Sequence, residues 1–452
     1  MSSKNIKNID VLVIANLDHA SPRIPGLSQY MCSVNDNVRI ITSIQNKNFK
    51  EKWGIKNFDK KKFKIIDAPY SGDLLQIIRK LFWSLGFAKN LSLTEQLKSN
   101  FNSRDQTNFW GKFKAQIPEW LFHRFQEFFA IPDLEITWYK SALKVANIEI
   151  KKKRPDLIIS SSPLMTSHLV ASKIKKKYKI TWIADFRDTW SNNPAYSLSK
   201  LRKKLDQYLE KKIVYRSNLI TTVSETYKKK LNEIHQNKIV VIPNGYTSLN
   251  PYKKKINNSS ILTIVYTGTL YEGFQNFPIF LESVRKTIHS GLIDKEKLRI
   301  NFYGRYISKL QNLIQDYDLS ECVIQNGTVS RNESFKIQQN ADLLLFFNWE
   351  GLEGGLSHLK LYEYLGSMNP IFIVGAKNDF TNQTIIENTN SGFIGIGVDQ
   401  ISNILVNLYN NYINGKGIPY KPNIREIKKH SYYERGKIFR NLLLSTLDKK
   451  NI

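Results

Sequence analysis

The chain has 452 residues, 41% of them hydrophobic, enough to bury two cores of about 200 residues each. Its formal charge is +28, and no apolar run approaches the ~20 residues of a membrane-spanning helix, which excludes that class and favours an anionic partner. Cys32 and Cys322 lack metal-ligand spacing, so neither a disulfide framework nor a cysteine zinc site is indicated. The polar start Met1 to Asp10 has no signal-peptide core, so a cytoplasmic location is expected.

In chain order, short apolar runs predict strands at Asp10–Ala15, Val38–Thr42, Asp156–Ser160, Thr181–Ala184, Leu219–Val223 and Lys238–Ile242. Segments of helical period separate most of them, at Asp133–Lys153, Leu164–Lys177 and Ser199–Arg216. A second series starts at Leu262–Tyr266 and runs through Leu298–Tyr303, Cys322–Gln325, Ala341–Phe347, Ile371–Val374 and Phe393–Ile396. Strand and helix alternation of this kind predicts an α/β protein of two doubly wound, Rossmann-like domains facing a cleft. The expected division is residues 1–247, residues 248–425 and a terminal helix over 426–452, with a polar linker from Asn244 to Ser260. The terminal helix either straps back onto the first domain or faces solvent.

Charge is unevenly divided. Residues 1–250 carry 43 Lys and Arg against 21 Asp and Glu, a balance of +22, while the rest carry 24 against 18, or +6. The first domain is therefore the expected contact for nucleic acid or an acidic membrane face. Within about 73–130, aromatic residues such as Phe82, Trp83, Trp110, Trp120 and Phe128 are interspersed with Arg79, Lys80, Lys112 and Arg124. Such segments suit helices lying in a lipid interface or an insertion packed on its own domain. No nucleic-acid-binding signature accompanies the charge, which places nucleic acid second to membrane.

Polar groups collect where strands end. Asp156–Ser160 runs into Ser161-Ser162-Pro163, and Thr181–Ala184 into Asp185-Phe186-Arg187-Asp188. In the second series, Thr267-Gly268-Thr269 and Gly304-Arg305 place glycines at strand-to-helix turns, where phosphate can approach backbone. The segment Glu353-Gly354-Gly355-Leu356-Ser357-His358-Leu359-Lys360-Leu361-Tyr362-Glu363 reads as a flexible loop entering a helix with Ser357 as N-cap. Lys360 and Glu363, three apart, share a helix face. A cation, a carboxylate and helix-start N–H groups suit a ligand with both phosphates and hydroxyls, such as a nucleotide sugar, and His358 is placed to donate to phosphate.

These residues resemble bacterial family-4 glycosyltransferases. The likeness rests on Pro132-Asp133 with Trp138, Pro155-Asp156-Leu157-Ile158-Ile159-Ser160-Ser161-Ser162-Pro163, Ala184-Asp185-Phe186-Arg187-Asp188-Thr189-Trp190, Val241-Ile242-Pro243-Asn244-Gly245 and Lys360-Leu361-Tyr362-Glu363-Tyr364-Leu365. It implies a GT-B fold and a nucleotide-sugar donor, a substrate rather than a cofactor, with Glu363 on the ribose hydroxyls. Where the family has a first glutamate this chain has Gly355, so Glu353 is the substitute on the donor sugar. Thr269 stands where an arginine often binds diphosphate, leaving that work to Arg305 or Lys360. His19 to Gly26 resembles the family's loop after the first strand.

The resemblance further implies sugar transfer with retained configuration; the expected partner is a glycan or lipid-linked acceptor, and the basic first domain motivates placing it at the inner membrane face. Fixed cations, Arg305 and Lys360, would stabilise the leaving diphosphate without a metal, since the one Asp-x-Asp match, Asp316-Tyr317-Asp318, follows a helix rather than a strand. Asp185 and Asp188 would orient the acceptor, or Asp185 would pair with Arg187. A nucleotide-sugar epimerase and a non-enzymatic nucleic-acid-binding protein are the competing readings.

Overall fold

The computed structural model describes residues 8–17, 22–43, 63–70, 72, 74, 130–193, 199–249, 260–350, 359–375 and 380–448. In chain order the first domain holds β1 (Asp10–Ile14), α1 (Arg23–Ser33), β2 (Asn37–Thr42), β3 (Phe63–Asp67), a 3-10 turn at Leu134–Trp138, α2 (Tyr139–Lys152), β4 (Leu157–Ser161), α3 (Thr166–Tyr178), β5 (Thr181–Phe186), α4 (Lys200–Val214), β6 (Leu219–Thr222), α5 (Glu225–Asn232) and β7 (Ile239–Val241). There follow β8 (Leu262–Thr267), α6 (Phe277–His289), β9 (Leu298–Tyr303), α7 (Ser308–Asp316), β10 (Val323–Gly327), α8 (Arg331–Asn340), β11 (Leu343–Phe347), α9 (Leu359–Ser367), β12 (Ile371–Val374), α10 (Phe380–Thr389), β13 (Gly392–Gly395), α11 (Gly397–Ile413), α12 (Ile424–Lys429) and α13 (Tyr432–Asp448).

Two sheets result, ordered β3-β2-β1-β4-β5-β6-β7 and β10-β9-β8-β11-β12-β13, with every pairing parallel. The expected α/β class with two Rossmann-like domains is what the chain adopts. In each sheet the order reverses beside the first strand, at β1/β4 and β8/β11, which opens a crevice at the strands' carboxyl ends. Central strands are apolar on both sides because helices cover both. Val11, Val13 and Ile159 pack under α1, whereas Leu12, Ile14 and Ile158 pack under α2 and α3. Strand β3 has no counterpart in the sequence reading. As an edge strand it is only partly buried, so Phe63–Asp67 lacks the apolar run that marks its neighbours.

Helix α13 lies against α1 of the first domain. Tyr432, Phe439 and Leu443 join Ile24, Leu27 and Met31 in one core, and Arg440 bonds Asp36 through Nε (2.6 Å) and Nη2 (3.0 Å). Glycines set how closely the two helices approach. A Cβ on Gly26 would lie 2.5 Å from the Tyr432 ring, and one on Gly436 would lie 2.5 Å from the Leu27 carbonyl. Gly26, expected in a ligand-reaching loop, is therefore a helix-contact residue, because the helix begins at Arg23. His19 lies outside the described residues, as do residues 250–259 of the expected Asn244–Ser260 linker and nearly all of the aromatic insertion.

Candidate functional site

The carboxyl ends of the two sheets face one another. Trp349, just beyond β11, packs on Val223 and Tyr227 of the first domain, and Leu359 at the start of α9 touches the core beneath α1. Tyr246 and Ser431 bridge where the chain passes between domains.

On the second domain's side, Lys360 reaches the end of β8. Its Nζ lies 3.7 Å from the centre of the Tyr266 ring and bonds the Tyr266 hydroxyl. Gly268 makes room for it, since a Cβ there would meet the Lys360 Cε at 2.8 Å. Burial of the ammonium lowers its pKa to about 7, with Glu363 opposing the shift. The β8 end is fixed by Tyr364, whose hydroxyl accepts the Thr267 N–H at 3.0 Å, and by Gln338, which donates to Thr267 Oγ1 at 2.9 Å. Thr269 accepts the Tyr266 hydroxyl through its carbonyl (2.9 Å). Gly304 is pressed so close to Gly268 that a Cβ would sit 2.1 Å from its carbonyl oxygen, so this glycine serves backbone packing between β8 and β9. Arg305 beside it is exposed, and its guanidinium has no carboxylate partner among the described residues.

Glu363, one turn after Lys360, is ion-paired to Arg331 at the start of α8. The helix start is held by a capping box in which Ser330 accepts from the Glu333 amide and Glu333 accepts from the Ser330 amide. Arg331 escaped the sequence reading, although Ser330-Arg331-Asn332-Glu333 has the capping-box pattern that marks a helix start beyond a strand. Glu353, Gly354, Gly355, Ser357 and His358 lie outside the described residues.

On the first domain's side, the structure corrects the assignment of Asp185. Its carboxylate is fully buried and accepts from Arg23 Nε (3.0 Å) and Nη2 (2.9 Å), Thr221 Oγ1 (2.7 Å) and Ser161 Oγ (2.8 Å). Burial opposes its ionisation, yet the Arg23 guanidinium and these donors hold its pKa below the usual carboxylate value. Asp185 thus ties β4, β5, β6 and α1 together and has no open face for an acceptor. Arg23 also donates to the Ile242 carbonyl at 2.7 Å. Arg187, the expected partner of Asp185, pairs instead with Asp188. That pair lies at the end of β5 with side chains 21% and 27% exposed.

The serine run divides its work. Ser160 bonds His168 Nδ1 and accepts from Trp182 Nε1, both at 2.8 Å, and Ser162 donates to the Asp188 carbonyl at 3.0 Å. His168 is wholly buried against Phe186, which lowers its pKa to about 3, so it is a neutral packing residue. Asp133 caps α3 by accepting from the Thr166 amide at 2.8 Å.

The Asp-x-Asp residues are remote from this cleft. Asp316 ends α7, which returns from the carboxyl end of β9 to the amino end of β10.

Residues 109–247 match the model of Glycosyltransferase Family 4. Over that segment the chain is similar to family 4, and the fold of the whole chain is GT-B. Among solved structures this GT-B chain is similar to TarM, with TM-score 0.58 and 11% identity over 97% of this chain and 99% of that one. Sucrose-phosphate synthase from Thermosynechococcus elongatus gives 0.57 and 10% over 97% and 100%. The apo lipopolysaccharide outer core galactosyltransferase WaaB gives 0.51 and 14% over 97% and 99%. Identities this low establish the GT-B fold alone. No curated protein sequence matches the chain. Among the described residues, no helix is long and apolar enough to cross a membrane.

Proposed function

We propose that this GT-B chain moves a sugar from a nucleotide diphosphate sugar to a glycan or lipid-linked acceptor in cell-surface polysaccharide synthesis. The observation that carries the reading is the convergence of Lys360, Glu363 and Arg331 at the carboxyl ends of the second sheet, facing the first domain. Glu363 would accept from ribose hydroxyls, held in place by Arg331. Lys360 and Arg305 would meet the diphosphate, whose negative charge grows as the bond to the sugar breaks. Glu353, Gly354, Gly355, Ser357 and His358 are the further residues assigned to the sugar and phosphates, on sequence grounds. Asp188 and Arg187, at the opposite wall, are the groups available to orient the acceptor hydroxyl.

Transfer with retention and without a metal is part of the proposal. The fixed cations supply the charge that a metal would otherwise bring, and the leaving diphosphate can take the acceptor's proton. Activity unchanged by EDTA is the expected result.

Release of nucleoside diphosphate from UDP-, GDP-, ADP- and dTDP-sugars, in membrane extract supplying acceptor, tests the reading. At donor concentrations below KM, Glu363→Ala and Lys360→Ala should each lower release by roughly tenfold or more; unchanged turnover in both variants rejects the site. Conversion of the donor sugar to its epimer without acceptor would assign the fold to an epimerase instead.

A further inference from the structure

Helix α4 presents a face that the described residues of its domain leave exposed. Leu201 is 73% exposed, Leu205 39%, Tyr208 59% and Tyr215 56%. Their spacing of four, three and seven places them in one stripe along roughly 20 Å of helix. The inward side is fully committed. Arg202 pairs with Asp206 at 2.8 Å, and Glu210 accepts from Ser191 Oγ (2.6 Å) and from His235 (3.0 Å). Val214 is buried in the domain core, with Leu209 and Ile213 packed on it. Among the described residues, nothing in the packing of α4 calls for the outward leucines and tyrosines.

Charge is sorted in the same way. Both carboxylates of α4, Asp206 and Glu210, are buried. Its five lysines, Lys200, Lys203, Lys204, Lys211 and Lys212, are all exposed, and none pairs with a carboxylate among the described residues. Lys212 lies 5.3 Å over the Tyr208 ring and Arg216 4.5 Å over that of Tyr215, so cation and aromatic ring share the same outer surface.

We propose that the outward face of α4 docks this protein on an anionic lipid surface. Leucines entering the acyl boundary, tyrosines at headgroup level and flanking lysines on anionic headgroups match what the helix offers. Phosphate recognition on nucleic acid has use for the lysines but none for an aliphatic stripe. Position supports the same partner. The helix follows the loop at the carboxyl end of β5, to which Ser191 ties it, so docking sets the Arg187–Asp188 wall of the cleft beside the lipid.

Cosedimentation of the full chain with phosphatidylcholine vesicles, with and without phosphatidylglycerol, tests the proposal independently of any sugar chemistry. The wild type should bind only the anionic vesicles. Leu201→Ser, Leu201→Ser with Tyr208→Ser, and the quadruple reversal of Lys203, Lys204, Lys211 and Lys212 to Glu should progressively weaken binding, the last by about tenfold or more. A control reversing exposed Lys309, Lys336, Lys416 and Lys428 removes the same charge elsewhere and should change binding by less than about threefold. Melting temperature, reported alongside, should be unchanged because every altered side chain faces solvent. The proposal is overturned if the wild type ignores anionic vesicles, if the α4 variants bind like wild type, or if the control loses as much. Salt-sensitive binding of duplex DNA that the lysine variant loses and the Leu201 and Tyr208 variant keeps would assign the face to nucleic acid.

Discussion

Arg23 and Asp185, separated by 162 residues, form a buried ion pair with Nη2 to Oδ1 at 2.9 Å and side chains 1% and 0% exposed. Removing one partner leaves an uncompensated charge in the interior, so Asp185→Asn should cost about 3–5 kcal/mol of stability, read as a lower urea midpoint. Nucleotide-sugar affinity of the folded fraction should stay near wild type. A variant with normal stability and lost turnover would return Asp185 to the acceptor site.

The Arg331–Glu363 pair predicts a graded donor defect. Charge-assisted hydrogen bonds are worth about 1.5–3 kcal/mol, so Glu363→Ala should weaken donor binding by roughly tenfold to a hundredfold. Arg331→Ala should raise KM more than it lowers kcat, because it releases the orientation of Glu363. Arg331→Lys should restore part of the loss. Equal effects of the Ala and Lys variants would show that Arg331 acts otherwise.

Lys360 predicts proton-linked binding. Its pKa near 7 in the folded chain rises when a diphosphate arrives, so binding at pH 7 should take up about half a proton, and affinity should fall as pH climbs above 7. Titration calorimetry in buffers of different ionisation enthalpy measures the uptake, which Lys360→Met should eliminate. Stability has its own sign. The unfolded lysine binds more protons than the folded one between about pH 7 and pH 10.4, so this residue makes the fold more stable as pH rises through that window.

Gly436 predicts the weight carried by the strap helix. A methyl there would meet the Leu27 carbonyl at 2.5 Å, backbone that cannot swing aside. Gly436→Ala should destabilise the chain by about 1–3 kcal/mol, despite alanine's better helix propensity. A gain in melting temperature would mean that α13 is free to shift on α1.

Much of this architecture is local and was therefore legible from the amino acids alone. Apolar runs at Asp10, Leu157, Thr181 and Leu343 mark central strands because both faces are covered, and Ser199, Ser224 and Ser330 start helices by accepting from amides three residues on. The placing of Lys360 and Glu363 on one helix follows from spacing in the same way. Long-range packing decided the rest. Arg23 was chosen over the adjacent Arg187 as the partner of Asp185, Gly26 was enclosed by Tyr432 from the far end of the chain, and Arg331 was brought to Glu363. Spacing along a chain fixes which side chains share a helix or strand, but a buried charge takes whichever opposite charge the assembled sheets deliver, and only the folded molecule determines that.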